Sequence, residues 1–316
     1  MKTHSRKVST PLLLNAVGLL LALFAVAHDA SADETLRPGD RIWEVSTRHL
    51  SACPSVDAPL QVSSFVENCF QPSSLETLLT DPIALSAPRT IIYVHGNWME
   101  WDNARDRGLI MYRALASRSC EPINLILFSW PSQRTQRRIR DVLEKADLAD
   151  AHAYYFADFI QHLPASQPLS VMSFSFGGAL TCGALHLVSG GTLQGRSLPT
   201  NPVHANIRLS LTAPAFGKSE LGTCGKYSHA LTQVERLVNL YNSNDPVLQR
   251  FRFVDNRKSP AAGFSGIDYG MNERLQGHPR IVQYDCKKGT GRSHYEVEYI
   301  CNCTYFQHSI DNALGR

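Results

Sequence analysis

Leu169-Ser170-Val171-Met172-Ser173-Phe174-Ser175-Phe176-Gly177-Gly178 decides how this 316-residue chain is read. The first half has the composition of a short buried strand, and the second half gathers small residues around a serine. A strand that turns abruptly into a helix needs them. The serine at the turn sits in strained backbone, where bulk two residues before or after it collides with neighbouring main chain. The pattern is G-x-S-x-G with Ser173 at the first glycine position, and serine is small enough to fit there. Ala179, Leu180, Thr181, Cys182, Ala184 and Leu185 continue as a buried helix. On this reading Ser175 is the nucleophile.

About 80 residues earlier, Thr90-Ile91-Ile92-Tyr93-Val94-His95-Gly96-Asn97 is a β-branched and aromatic run ending in His-Gly. Attack by a serine on a carbonyl develops negative charge on oxygen, and a glycine-containing turn after a strand can aim backbone N–H groups at it. The expected donors are the N–H of Phe176, the residue after the nucleophile, and that of Asn97 or Trp98 in the loop. His95 is expected to brace this loop and to move no proton.

A serine nucleophile of this kind needs an acid and a histidine later in the chain, each at the carboxyl end of a strand. Val234 to Asn239 alternates as a strand and runs into Leu240-Tyr241-Asn242-Ser243-Asn244-Asp245-Pro246-Val247, a turn that delivers Asp245. Arg280 to Tyr284 reads as another strand, and Gly291-Arg292-Ser293-His294-Tyr295 supplies a histidine in the loop beyond it. Asp245 is expected to orient His294 and stabilise its imidazolium, while His294 takes the proton of Ser175 and returns it to the leaving group. The chain has twelve histidines. His308 is the main rival to His294, but its surroundings read as the final helix. Asp255 and Asp268 rival Asp245, which has the advantage of following a strand directly and preceding a proline that can open a helix.

Val94-His95-Gly96-Asn97, Leu127-Phe128-Ser129-Trp130-Pro131-Ser132, an Arg- and Ala-rich helix with Asp147-Leu148-Ala149-Asp150-Ala151, and the serine turn follow one another in an order that resembles a bacterial group of α/β-hydrolases of unknown function. The resemblance spans roughly residues 88 to 310. In that group His and Met usually flank the serine, where this chain has Phe174 and Phe176. The resemblance implies an α/β-hydrolase fold, a mostly parallel, doubly wound sheet with helices on both faces, and it carries no substrate with it. Alternation of strands near 40–47, 90–94, 124–128, 169–172, 207–212, 234–239 and 280–284 with helices over 102–117, 136–161 and 176–187 leads to the same architecture. Residues 216–228 and 251–277 show weak periodicity and are candidates for lid or substrate-binding loops.

Lys2, Arg6 and Lys7, an apolar stretch from Pro11 to Ala27, and Ala30-Ser31-Ala32 have the form of a cleaved export signal over residues 1–32, which would place the mature single domain at 33–316 in the periplasm or outside the cell. An uncleaved anchor is the alternative. No later segment has the length and apolarity of a membrane span. Loss of Lys2, Arg6, Lys7 and Asp29 takes the net charge from +3 to +1, which speaks against general nucleic-acid binding. Arg134, Arg137, Arg138 and Arg140 could hold an anion but read more readily as a solvated helix face. All eight cysteines (Cys53, Cys69, Cys120, Cys182, Cys224, Cys286, Cys301, Cys303) lie in the mature part, and export would favour disulfides. Cys53 and Cys69 bracket a short loop and are natural partners, Cys182 reads as a buried thiol, and Cys301 and Cys303 are too close to pair with each other without strain. No paired C-x-x-C spacing suggests a metal, and no cofactor is expected. The expected activity is hydrolysis of a small-molecule or lipid-like ester. The alternatives are an acyltransferase using the same residues, or a non-catalytic module of the same fold that binds an envelope component or a protein.

Overall fold

Thr90–Val94, Asn124–Ser129 and Leu169–Phe174 are largely apolar and buried along their whole length, as strands covered on both faces must be. In the computed structural model, which describes residues 36–55, 58–135, 138–199, 207–253, 259–268 and 280–316, they form the centre of a nine-stranded sheet. The strands are β1 (Arg41–Ser46), β2 (Gln61–Val66), β3 (Cys69–Ser73), β4 (Thr90–Val94), β5 (Asn124–Ser129), β6 (Leu169–Phe174), β7 (Ile207–Thr212), β8 (Val234–Tyr241) and β9 (Arg280–Asp285). They lie in the order β3-β2-β1-β5-β4-β6-β7-β8-β9. Only the β1–β2 and β2–β3 pairings are antiparallel. The doubly wound α/β-hydrolase sheet expected from the motifs is thus the observed one.

From β4 the chain steps to β5 on one side, then to β6 on the other and on to β7. Crossovers between parallel strands are right-handed, so opposite steps place their helices on opposite faces of the sheet. After the short helices α1 (Leu75–Thr80) and α2 (Pro82–Ser86), helix α3 (Trp101–Ala116) covers one face, joined there by the C-terminal helix Phe306–Ala313, which packs on β6, β7 and β8. Arg118 of the loop after α3 ties the two together through a fork to Asp311 at 2.9 and 3.1 Å. The other face carries α4 (Arg138–His162) and α5 (Phe176–Val188), and every residue of α5 is buried. Small residues make that possible: a Cβ on Gly183 would lie 2.9 Å from the Ala153 Cβ of α4.

The switch in winding direction falls at β4. The carboxyl ends of β4 and β6 therefore diverge from their crossovers and leave a crevice between them, the place where open α/β sheets bind ligands. The loop that starts at His95 and the turn at Ser175 both open onto it.

Two expectations are corrected. The stretch between Cys53 and Cys69, expected to be a short loop, contains β2, which pairs with β3 in a hairpin whose turn residues Glu67 and Asn68 have positive φ of 49° and 62°. An Asn at such a turn is the local signal for it. Cys69 accordingly lies exposed on the edge strand, and it and Cys53 are both free. The bonded pair is Cys286–Cys303, with Cα atoms 5.6 Å apart. Cys182 is a buried thiol, pushed well above the ordinary cysteine range by burial. The proposed export signal, Asp255, Arg137 and parts of the 251–277 segment lie outside the described residues. Among those described, no helix is long and apolar enough to cross a membrane.

The Cys286–Cys303 bond closes a loop with a sequence separation of 17, and a loop of that size removes about 3 kcal/mol of chain entropy from the unfolded state. Cys303→Ser is expected to lower the unfolding free energy in urea by about that amount; an unchanged midpoint and slope would show that the bond constrains nothing.

Candidate active site

The turn between β6 and α5 holds Ser175 at φ 52°, ψ −121°, a conformation that side-chain-bearing residues rarely adopt. Main-chain bonds brace it on both sides: Ser175 N–H donates to Thr212 O at 3.0 Å, and Ser175 O accepts from Ala215 N–H at 3.0 Å. A Cβ on Gly177 would meet the carbonyl oxygens of Val94 and His95 at 2.5 Å, so only glycine lets α5 begin this close to the end of β4. At the relaxed position, Ser173 lies paired between Val94 of β4 and Leu211 of β7 and is buried.

Ser175 Oγ lies 3.0 Å from His294 Nε2, and His294 Nδ1 lies 2.5 Å from Asp245 Oδ2. Asp245 is fully buried and uses its two oxygens differently. Oδ1 caps a short helix, Pro246–Gln249, by accepting from Val247 N–H at 2.8 Å and Leu248 N–H at 3.1 Å, which leaves Oδ2 for the imidazole. The helix-start reading of Asp-Pro and the acid reading thus describe the same carboxylate. Neighbouring Asn242 fixes the histidine loop from below: its amide donates to Thr290 Oγ1 at 2.9 Å, Gly291 O at 3.1 Å and Ser293 O at 3.3 Å. Residue His294 lies inside the loop closed by Cys286–Cys303. The rivals stand elsewhere: His308 stacks on Tyr284 at 4.6 Å, and Asp268 pairs with Lys218 on the surface.

After β4, Trp98 has a φ of 58° and gives its N–H to Ser132 O at 2.8 Å. That bond engages the Trp98 N–H, one of the two donors expected from this loop. Phe176 opens α5, so its N–H is among those that a helix leaves without an intrahelical partner.

Sequence reasoning assigned no role to Phe128-Ser129-Trp130-Pro131-Ser132, and the structure supplies one. His95 donates from Nδ1 to Gly96 O at 2.9 Å, which makes Nε2 the acceptor for Trp130 N–H and for an Arg48 guanidinium N–H, both at 3.3 Å. The Trp130 indole N–H returns a bond to His95 O at 2.9 Å. Burial beside the Arg48 charge pushes the imidazole down to about 3, so His95 stays neutral and its tautomer is set. Arg48 also reaches Ser129 Oγ at 2.7 Å and Met99 O at 3.0 Å. The motif is a polar bracket that holds the 95–99 loop against the ends of β1 and β5. The signal for it was the motif itself; its partner Arg48 lies 81 residues away from Ser129 and could not be paired with it in advance.

Two residues beyond His294, Glu296 is buried and accepts from Tyr93 Oη at 2.8 Å, with Arg107 Nε at 3.8 Å. Burial pushes its carboxyl up to about 7 against these two partners.

No protein-family model matches the sequence, and no curated protein sequence matches it. Among solved structures, the chain is similar to an SN3-inhibited esterase B from Lactobacillus rhamnosis at 14% identity, over 90% of each chain, with a TM-score of 0.39. The fold is therefore identified by its strand order, and the site by the Ser175–His294–Asp245 geometry, rather than by this likeness.

Glu296 binds its proton more tightly in the native state than in the unfolded chain. Its contribution to stability is therefore complete below the ordinary glutamate value of 4.5 and is lost as pH rises through about 7. Glu296→Gln, which keeps the hydrogen bond without the titration, is expected to gain at least about 1 kcal/mol relative to the parent between pH 5 and pH 8. Urea unfolding at the two pH values reads this, and an equal difference at both would refute it.

Proposed function

We propose that the protein is an exported serine hydrolase that cleaves carboxylic esters through an acyl-enzyme on Ser175. The observation that carries this reading is the relay from Asp245 through His294 to Ser175, at 2.5 and 3.0 Å, set in the crevice where the sheet changes winding direction.

In the forward step, Ser175 Oγ attacks the ester carbonyl and its proton passes to His294 Nε2. The carbonyl electron pair moves onto oxygen, which the N–H groups of Asn97 and Phe176 stabilise. Collapse of this intermediate breaks the C–O bond of the ester, and the imidazolium protonates the departing alkoxide. Water then enters, gives a proton to His294 and attacks the acyl carbon; the second collapse frees the carboxylic acid and returns the proton to Ser175. Asp245 keeps Nδ1 protonated, so that Nε2 faces the serine as a base, and it offsets the imidazolium charge. The preference for esters over amides follows from what this fold most often does. Export is supported by the form of residues 1–32 and by the Cys286–Cys303 bond, which persists in an oxidising compartment. Phe216 and Phe251, from the two segments expected to carry lid or substrate-binding loops, are proposed to wall the substrate site, since they line one cavity with Phe176 and Ala215.

Incubation with a fluorophosphonate, followed by mass spectrometry, is expected to find the modification on Ser175, and Ser175→Ala and His294→Ala are expected to abolish it. Asp245→Asn is expected to reduce ester hydrolysis about 10⁴-fold, because the imidazole would then present the wrong tautomer. A folded, oxidised protein that takes up no label would favour the binding-module alternative.

A further inference from the structure

A cavity of about 120 Å³ lies against the first turn of the helix that follows Ser175. Its near wall is the first turn of α5, Phe176 and Ala179, together with Ala215, whose N–H is bonded to the carbonyl of Ser175 itself. Phe216 and Phe251 continue the apolar lining. The far end lies further along α5, where a Cβ on Gly183 would stand 3.5 Å from the Tyr227 ring, and it differs in character. There Glu220, Lys226 and Tyr227 face the space, with Asp147 at its margin. Lys226 is ion-paired through Nζ with the buried Asp150, which also accepts from Tyr227 Oη at 2.8 Å, and Glu220 accepts from the Lys226 backbone N–H at 2.6 Å.

We propose that this cavity receives the acyl arm of the substrate, and that the arm is short and ends in a neutral group able both to donate and to accept hydrogen bonds, such as a hydroxyl. The inference rests on the serine-hydrolase reading and names the substrate class for that site. The assignment to the acyl side follows from proton transfer. The leaving alcohol must depart next to His294 Nε2, which protonates it, and none of the described residues that line the cavity belongs to the 286–303 loop that carries His294. The acyl group therefore extends the other way, past the Phe176 N–H. The chemistry of the far end selects the terminus. A long aliphatic chain would strip water from the partly exposed Lys226 ammonium without offering it a hydrogen bond in return. A terminal carboxylate would face Glu220 and Asp147. A hydroxyl offers a proton to the carboxylates and lone pairs to the ammonium, and it adds no charge.

The test uses the full mature protein and four p-nitrophenyl esters: acetate, butyrate, 3-hydroxybutyrate and octanoate. The 3-hydroxybutyrate is expected to exceed butyrate in kcat/KM by about tenfold, with octanoate the poorest. Ala179→Leu, which fills the near end, is expected to remove that preference, and Phe251→Ala, which opens the side wall, to raise octanoate relative to acetate by about tenfold. These ratios move in opposite directions, which a general loss of folding would not produce. Octanoate as the best ester of the parent, or both variants shifting all four esters by one common factor, would overturn the inference while fluorophosphonate labelling of Ser175 still stood. Absence of labelling and of turnover on every ester would overturn both readings together.

Discussion

The closeness with which the first turn of α5 lies against the end of β4 is the constraint on which the carboxyl edge of this molecule depends. Val94 O and His95 O occupy the space where a Cβ of Gly177 would be. This contact sets the angle at which the helix leaves the sheet. Beside it Ser175 takes its strained φ, and the start of α5 lies close to the loop after β4, where a Cβ on Gly96 would stand 3.2 Å from the Ser175 Cβ. Strain of this kind costs of order 1–3 kcal/mol and persists only where the surroundings over-determine it. Here they do so through the Thr212 and Ala215 main-chain bonds on either side of the serine and through the bracket beneath the 95–99 loop.

That bracket and the acid of the relay share a design. Each uses one polar group for two purposes, and the structural purpose fixes the chemical one. Asp245 caps a helix with one oxygen and in doing so aims the other at His294. His95, held neutral by burial beside Arg48, donates from one nitrogen and accepts at the other, which locks a loop between β1, β4 and β5. Buried polar groups are tolerable only when paired, and here the pairing itself carries the geometry from the core to the crevice. Asn242 extends the same principle to the histidine loop, where the disulfide adds a covalent clamp.

Much of this was legible along the chain. Strands covered on both faces announce themselves as short apolar runs and β8 as an alternation, so β4, β5, β6 and β8 are legible to within a few residues, as is the long helix α4. The small residues after Ser175 marked the buried helix. The β2–β3 hairpin was not legible, because its alternation is short and its strand residues are largely polar; it exists by pairing with β1, a neighbour that no local pattern names. The cysteine bond failed for a related reason. Sequence spacing suggested Cys53 with Cys69, but the sheet carries Cys69 to an exposed edge, while the descent from β9 into the last helices brings Cys286 and Cys303 within 5.6 Å.

Residue types and their order along the chain were enough to nominate Ser175, Asp245 and His294, because a strained turn demands small neighbours and parallel strands deliver their loops to one edge. Which nitrogen meets which oxygen was decided only in three dimensions, where residues 119 positions apart come within 3.0 Å. The same holds for the role of Phe128-Ser129-Trp130-Pro131-Ser132, for the mixed polar end of the cavity beside Phe176, and for the protonation of Glu296. Each is a property of groups that the sequence separates and the sheet brings together, and burial, which sets their charge and their hydrogen bonds, belongs to the folded chain alone.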